Sequence, residues 1–427
     1  MDIIKKVDLI GGGKLYYVKN KISKTTAIDI QFACGSRCDT IPGLAHFSEH
    51  MFFSGTKDLT ADEINKKYFD FIDVNAATTS KMIEFYGTIF TKEVGDYLSL
   101  VAKMITETTF SQKAVDKEIK VIQQEIARSS DKHGNKSSLN NDYSLMQEEC
   151  LKNETLGSKE SVASIKSKDV KNFVKKYFVK ENVIVFISSP MPFYKVKKLV
   201  SKNLVSKLNS NPKFKKLPKF IGEIKDDSFY NIKNENIKKN YLYINFVKDH
   251  DYYDLVYFRK LGLVLDMLND SSQGIKKDLR LKKSLVYNAR FNIFALKKEY
   301  IITLATECDS KNINEIIKTT AEYLKNIVTN GFTQVQLDKA KRLYDYGEAA
   351  KEPRVSVYMR KLYMYNRIGK ITNSRKFKET IKNTTLEECN QIFREVFSDP
   401  RVSMTIYGDA SKKETLTKAQ FKKCFKN

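Results

Sequence analysis

Polar and apolar residues alternate along several short stretches of the chain, which is the pattern of half-buried β-strands. Residues 27–34, Ala-Ile-Asp-Ile-Gln-Phe-Ala-Cys, show this period of two, and residues 82–90 form a second such run. The pattern then changes to that of amphipathic helices, which are predicted at 92–106 and 112–128. The segment that opens at Pro42-Gly43 is also predicted to be helical, because proline suits the first turn of a helix.

The same succession of strand and helix patterns returns in the second half of the chain. Strands are predicted at 241–247, 286–296 and 299–307, and helices at 252–268 and 311–328. The stretch between the halves holds two of the seven prolines and few periodic apolar positions, which is typical of a linker. The sequence therefore predicts an N-terminal domain over 1–208, a linker over 209–235 and a C-terminal domain over 236–427.

Two short peptides indicate that the halves are copies of one domain. Phe110-Ser111-Gln112 followed by Asp116-Lys117 resembles Phe332-Thr333-Gln334 followed by Asp338-Lys339, at a constant offset of 222 residues (332 − 110 and 338 − 116). In both places the tripeptide joins two predicted helices. A match in the same helix-loop-helix context supports a duplicated domain.

The composition is that of a globular protein, with 427 residues of which 41% are hydrophobic and 30% are charged. No run of about 18 apolar residues occurs, so no membrane-spanning helix is predicted. The first residues enter strand-like alternation directly, without the pattern of a leader peptide, and we expect a cytoplasmic location. In that compartment the six cysteines are expected to be buried or free thiols, including the close pair Cys34 and Cys38.

The net charge of +24 is the unusual feature of the composition. Such a charge can indicate an anionic partner such as nucleic acid or an acidic membrane. Lysine is spread along the whole chain, however, and forms no basic stripe with interleaved aromatic residues. We therefore expect a lysine-rich composition and neither a nucleic-acid nor a membrane partner.

Candidate chemistry lies in the predicted helix that opens after the proline. His46 and His50 stand four residues apart and share a helix face, and Glu49 lies beside them. Neutral imidazoles are zinc ligands, and Glu49 is suitably placed as the general base that takes a proton from the attacking water. A surface helix can carry this pattern by chance, but the flanking residues are apolar and indicate burial: Leu44, Met51, Phe52 and Phe53.

A third ligand is expected from the predicted helix at 112–128. Glu118 and Glu125 are seven residues apart and share one face, which also carries Val121 and Ile122 and is expected to turn inward. Carboxylates on an inward face are costly unless they are paired or bind a metal. One can bind zinc while the other orients an imidazole. The spacing does not decide which glutamate has which role.

With its surroundings, this motif resembles the M16 (pitrilysin) family of zinc metallopeptidases, which carry the inverted HxxEH signature. Gly35-Ser36-Arg37 and the run 43–56 are similar to the family's G-S-R and G-L-A-H-[FY]-[LV]-E-H-M-x-F-[KR]-G-T. The family's third ligand is a glutamate in an E-x6-E pair, and Glu125 stands 75 residues after His50 (125 − 50). The resemblance implies that Glu125 completes the site of one zinc ion and that Glu118 supports it.

Two further segments are similar to the family. Asn75 and Ala76 open a segment that resembles N-A-[FY]-T-[ST], which precedes the substrate-binding edge strand, so both are predicted to contact substrate. Residues 279–287 resemble L-R-E-K-[RG]-G-L-[AV]-Y, and Arg280 and Tyr287 keep the seven-residue spacing of its Arg and Tyr. The resemblance implies that these two side chains are catalytic residues that reach the substrate near the zinc ion.

The resemblance implies an α+β fold of two homologous domains, each a mostly antiparallel sheet with helices packed on one side, arranged as half of a clamshell. Across the 222-residue offset Glu118 and Glu125 fall on Ala340 and Gly347, so only the first domain is predicted to bind metal. The implied activity is a zinc metalloendopeptidase that hydrolyses internal bonds of peptides or unfolded polypeptides, as a homodimer or as a heterodimer with a related M16 chain. The alternative is a non-catalytic or partner-dependent subunit of an M16 heterodimer, since some relatives have that role.

Overall fold

The computed structural model describes residues 4–21, 23–71, 73–130, 141, 145, 155–215, 229–234, 237, 239–251, 254–295, 298–349, 355–369, 374–410 and 415–426. The chain divides into two compact units. The first comprises 1–131, 149–219 and 353–372, and the second comprises 132–148, 220–352 and 373–427. The first unit thus includes a segment from the second half of the chain, and the predicted domain bounds stay a prediction. Part of the predicted linker lies outside the described residues, and its end belongs to a strand of the second unit.

The first unit is built on a six-stranded sheet. Its strands are β1 (Ile4–Asp8), β2 (Lys14–Lys19), β3 (Thr25–Phe32), β4 (Asp73–Thr78), β5 (Ile83–Phe90) and β6 (Val183–Ser189). They lie in the order β1-β2-β6-β3-β5-β4, so β4 is an edge strand. Only β2 and β6 are parallel neighbours, and the other pairs are antiparallel.

The second unit has a sheet of the same design. Its strands are β7 (Phe229–Lys233), β8 (Asn240–Asp249), β9 (Ala289–Ala295), β10 (Glu299–Cys308) and β11 (Arg401–Gly408). Their order, β7-β11-β8-β10-β9, repeats the order β2-β6-β3-β5-β4 of the first sheet, and again only the first pair is parallel. Two sheets with the same order and directions confirm the mostly antiparallel, duplicated α+β fold.

Helices connect the strands of both units. They are α1 (Leu44–Met51), α2 (Ala61–Phe69), α3 (Val94–Glu107), α4 (Gln112–Ser130), α5 (Lys159–Ser164), α6 (Ser167–Tyr177), α7 (Phe193–Val200), α8 (Leu255–Leu268), α9 (Ile313–Asn330), α10 (Gln334–Ala349), α11 (Val355–Ile368), α12 (Ser374–Asn383), α13 (Leu386–Phe397) and α14 (Lys418–Phe425). No helix among the described residues is both long enough and apolar enough to cross a bilayer.

The repeated peptide makes the same hydrogen bond in both units. The side chain of Gln112 donates to Asp116 at 2.8 Å at the start of α4, and Gln334 donates to Asp338 at 2.7 Å at the start of α10. In each case the bond spans one helical turn directly after the loop that joins two helices. The two positions are therefore structural equivalents as well as sequence matches.

The core of the first unit lies on one face of its sheet. Ile28, Ile30 and Phe32 alternate along β3 and pack with apolar residues of the helices, including Phe47 of α1 and Leu98 of α3. The opposite face is covered in part by α11, which packs against β2, β3 and β6. Five cysteines are free thiols, of which Cys34, Cys38, Cys308 and Cys389 are buried, and Cys150 lies outside the described residues.

Candidate metal centre

The helix α1 carries the HxxEH motif and is fixed at its N-terminus by a partly buried carboxylate. Asp39 accepts hydrogen bonds from the backbone N–H groups of Gly43 at 2.9 Å and Ala45 at 2.8 Å. An acidic group there also complements the partial positive charge of the helix end. Gly43 has a φ of 92°, and a Cβ at this position would lie 2.7 Å from the carbonyl oxygen of Leu156. Only glycine satisfies both conditions.

His46, His50 and Glu125 come together as one group. Their ligand atoms all lie within 4.8 Å of one another. The Nε2 atoms of His46 and His50 are 3.8 Å and 3.7 Å from the same carboxylate oxygen, Oε2 of Glu125. The predicted ligand set, drawn from two helices 75 residues apart, therefore converges on one point between α1 and α4.

The donor atoms fit a zinc ion. Two ligands held about 2.1 Å from a tetrahedral ion lie roughly 3.4 Å apart, which is close to the separations from Glu125. Nδ1 of His46 is buried and has no hydrogen-bond partner among the described residues, and its Nε2 has only the long contact to Glu125. A metal ion would give Nε2 the partner that a buried polar atom requires, while Nδ1 would remain without one among the described residues.

Glu118 has a different position from Glu125. Its Oε1 lies 2.8 Å from Nδ1 of His50. This contact favours the tautomer with the proton on Nδ1, which leaves the Nε2 lone pair directed at the site. Glu125 thus faces the Nε2 atoms of both histidines and Glu118 lies against Nδ1 of His50, and the roles of ligand and orienting residue stay a prediction.

The two imidazoles have opposite electrostatic environments. Burial lowers the pKa of His46 to about 3, and the neighbouring His50 adds to this effect, so His46 is neutral at physiological pH. Burial also acts to lower the pKa of His50, but the hydrogen bond and charge of Glu118 outweigh it and the net shift is upward. A neutral His46 is ready to bind a metal ion, whereas His50 must give up any second proton first.

Glu49 is buried and accepts a hydrogen bond from a neighbouring strand. The hydroxyl of Thr78, at the end of the edge strand β4, donates a hydrogen bond of 2.5 Å to its Oε2. Burial raises the pKa of Glu49, while Thr78 and His50 partly oppose the shift. Thr78 was not singled out from the sequence, although it stands in the segment that opens with Asn75. No sequence pattern showed that β4 passes beside α1.

One expectation about α4 is wrong. Ile122 is fully buried, as predicted, but Val121 is 43% exposed and does not turn inward. Successive residues of a helix are separated by about 100°, so Val121 and Ile122 cannot both face the core of a helix that is covered on one side.

The substrate segment is placed differently from the expectation. Asn75 and Ala76 do not precede the edge strand but lie within it, since β4 spans Asp73–Thr78 and ends the sheet. The predicted strand at 82–90 is β5, which is an interior strand paired with both β3 and β4. The sequence did not reveal β4 because 73–78 is a short polar strand without the apolar alternation that identifies β5.

Arg280 and Tyr287 contact each other in the second unit. The guanidinium carbon of Arg280 lies 4.6 Å from the ring centroid of Tyr287, whose side chain is 78% exposed. Their predicted contact with substrate stays a prediction. Ala340 and Gly347 both lie on α10, and the described residues of the second unit contain no group of three metal-binding side chains.

Together the fold and the site define a duplicated α+β protein with a candidate zinc centre in its first unit. Residues 14–159 match the family model described as insulinase, peptidase family M16, and residues 164–344 match the model described as the peptidase M16 inactive domain. The two matches cover about three quarters of the chain. The chain belongs to the M16 family of peptidases, in its short two-domain form.

Relatives and solved structures agree with this assignment. The chain is 27% identical over 195 residues to a zinc protease of Bacillus subtilis, YmxG, covering 44% of this chain and 46% of that protein. It is 26% identical over 199 residues to a probable mitochondrial-processing peptidase subunit beta of Arabidopsis thaliana, covering 45% and 37%. The alignments thus span less than half of these relatives. A protease from Helicobacter pylori has the same fold, with a TM-score of 0.79, 17% identity and coverage of 96% and 100%.

Proposed function

We propose that this chain is a zinc metalloendopeptidase that hydrolyses internal bonds of peptides or unfolded polypeptides. The observation that carries the proposal is the convergence of the two imidazole Nε2 atoms on one carboxylate oxygen of Glu125. A carboxylate suited to base catalysis stands on the same helix, at Glu49. Relatives named zinc proteases support zinc as the metal.

The two oxygens of Glu49 have different tasks in this proposal. A bound zinc ion supplies Lewis-acid polarisation of the scissile carbonyl and a water of lowered pKa. Oε2 of Glu49 is held by Thr78, whereas Oε1 has no hydrogen-bond partner among the described residues. Oε1 is therefore the atom that takes the proton from the attacking water and passes it to the leaving amine. Thr78 keeps the carboxylate from rotating away.

The peptide would bind as an additional strand at β4. An edge strand presents backbone donors and acceptors that recognise an extended peptide largely independently of its side chains. Asn75 and Ala76 lie in this strand and would contact the backbone of the substrate. Arg280 and Tyr287 are proposed to stabilise the negative oxygen that develops during hydrolysis, the role that the family resemblance gives them.

Substitution of Glu49 tests the mechanism. Glu49→Gln retains the shape of the side chain and leaves the three metal ligands in place, so we expect normal zinc content and folding. Loss of the base should reduce turnover of an unstructured peptide by at least about a hundredfold. Glu107→Gln, a surface carboxylate of the same unit, is the matched control and should be fully active. Full activity of Glu49→Gln would refute the mechanism.

Partner-dependent activity is the second candidate. Several relatives are named as subunits of the mitochondrial-processing peptidase, and the second unit matches a domain described as inactive. In this alternative the chain binds zinc but cleaves peptides only with a related chain. The native mass of the purified chain, measured together with its specific activity, distinguishes a self-sufficient homodimer from a subunit that lacks its partner. A cytoplasmic location belongs to the proposal and is tested by fractionation of cells.

A further inference from the structure

The face of the first sheet opposite the core carries acidic and aromatic side chains near the edge strand. In β5, Ile83 and Phe85 are buried in the core, so the alternate residues Glu84 and Tyr86 lie on the other face. Tyr86 is 37% exposed. Burial is the main cause that raises the pKa of Glu49, and the charge of Glu84 adds to it, so Glu84 lies within electrostatic range of the proposed general base.

The register of β4 and β5 places the partly exposed Glu84 one strand in from the sheet edge. Glu84 pairs with Ala77, and Tyr86 pairs with Asn75. The β4 residue that lies between Glu84 and the sheet edge on this face is therefore Ala77, whose side chain is a methyl group. A peptide added beside β4 would place its backbone about two strand spacings from β5, roughly 9.5 Å. An extended lysine or arginine side chain together with the glutamate side chain covers that distance.

The carboxylates on this face lack cationic partners. Nε2 of Gln31 donates to Glu84 at 3.2 Å and to Asp29 at 2.6 Å, and the hydroxyl of Tyr363 donates to Asp29 at 2.7 Å. Neither Glu84 nor Asp29 forms an ion pair with a lysine or arginine in the described part of the chain. Asp29 is 1% exposed, and its Oδ1 is buried without a partner. Burial raises the pKa of both carboxyl groups, that of Asp29 to about 7. A cation bound beside Glu84 would stabilise the ionised form of its carboxyl group.

We propose that Glu84, reached across Ala77, forms a subsite that selects a lysine or arginine side chain of the peptide substrate. The inference rests on the proposed function, in which the peptide adds to β4. The exposed ring of Tyr86 provides a second contact, because a cation is attracted to the face of an aromatic ring. The subsite would favour basic peptides although the chain itself carries a net charge of +24.

Peptide binding tests the subsite separately from catalysis. Fluorescein-labelled unstructured peptides of twelve residues, in which one lysine is moved through a neutral sequence, are titrated against the zinc-loaded Glu49→Gln variant. At one lysine position the affinity should exceed that of the glutamine peptide by roughly ten- to a hundredfold, the range for a hydrogen bond to a charged group. Glu49→Gln/Glu84→Gln should lose this preference and keep its affinity for the glutamine peptide.

Two further variants identify the cause of any change. Glu49→Gln/Asp62→Asn removes one surface carboxylate from the same unit and should keep the preference for lysine. Glu49→Gln/Ala77→Leu retains Glu84 but blocks the path to it, and should lose the preference. Equal lysine preference with and without Glu84, or no position at which lysine is preferred, would overturn the subsite. Cleavage of the same peptides by the native chain tests the proposed function separately, since binding to Glu49→Gln requires no turnover.

Discussion

Glu118 provides a quantitative test of how the metal centre is supported. Its Oε1 lies 2.8 Å from Nδ1 of His50, and both side chains are largely shielded from solvent, with exposures of 18% and 26%. A hydrogen bond that orients a ligand imidazole typically contributes a factor of 10 to 100 in metal affinity. We expect Glu118→Ala to weaken zinc binding by that factor, or by roughly 1.4 to 2.7 kcal/mol.

Competition with a chromophoric chelator measures this change directly. Wild-type chain, Glu118→Ala and Glu118→Gln are titrated at one pH, and the apparent zinc affinities are compared. Glu118→Gln retains an oxygen acceptor for His50 and should lose less affinity than Glu118→Ala. Asp116→Ala removes a carboxylate two residues away on the same helix and should bind zinc normally. An unchanged affinity for Glu118→Ala would refute the role assigned to this hydrogen bond.

Three further predictions concern the surroundings of the site. Thr78→Val should lower kcat/KM roughly tenfold or more with unchanged zinc content, since a hydrogen bond to a charged group is lost, and Thr78→Ser should restore activity. Gly43→Ala should lower the free energy of unfolding by more than about 1 kcal/mol in a denaturant titration, because φ is positive there and the new Cβ meets a backbone oxygen. Burial and the charge of Glu84 raise the pKa of Asp29 in the folded state to about 7. The folded state therefore binds this proton more tightly than the unfolded state, which favours folding at low pH, and the contribution is lost as the pH rises from 4 to 7. Relative to Asp29→Asn, the unfolding free energy of the wild type should therefore fall over that range by up to about 4 kcal/mol, and parallel pH profiles would contradict this.

The strands and helices that could be predicted from the sequence are those that bury one face, because their apolar residues then recur with the period of a strand or a helix. The strands at 27–34 and 82–90 correspond to β3 and β5, and the helix at 112–128 corresponds to α4. The strands β6 and β11 were missed. β6 begins as a continuous apolar run without the alternation that identifies a half-exposed strand. β11 does alternate, and its Val402, Met404 and Ile406 carried a strand signal that the sequence analysis did not use.

The candidate metal-binding residues could be identified from the sequence because their spacing has a physical meaning within single helices. Four residues place His46 and His50 on one face, and seven residues do the same for Glu118 and Glu125. Thr78 was not predicted, because its contact with Glu49 depends on the path of an edge strand and no local sequence pattern encodes that path. The different positions of the two glutamates likewise depend on tertiary geometry, and their division of roles stays a prediction.

The helix α11 shows the limit of interpreting domains as continuous stretches of sequence. It lies in the second half of the chain, but it belongs to the first unit and packs on β2, β3 and β6 of the first sheet. The position of a linker in the sequence does not reveal that a later segment returns to the first unit.

The most direct test of the central claim is the zinc content of the purified chain, measured together with its cleavage of an unstructured peptide before and after chelation. The account predicts one zinc ion per chain, loss of cleavage when a chelator removes the ion, and recovery when zinc is added back. His46→Ala should contain no zinc under the same conditions. Cleavage that persists in the metal-free chain, or zinc that remains bound in His46→Ala, would contradict the account.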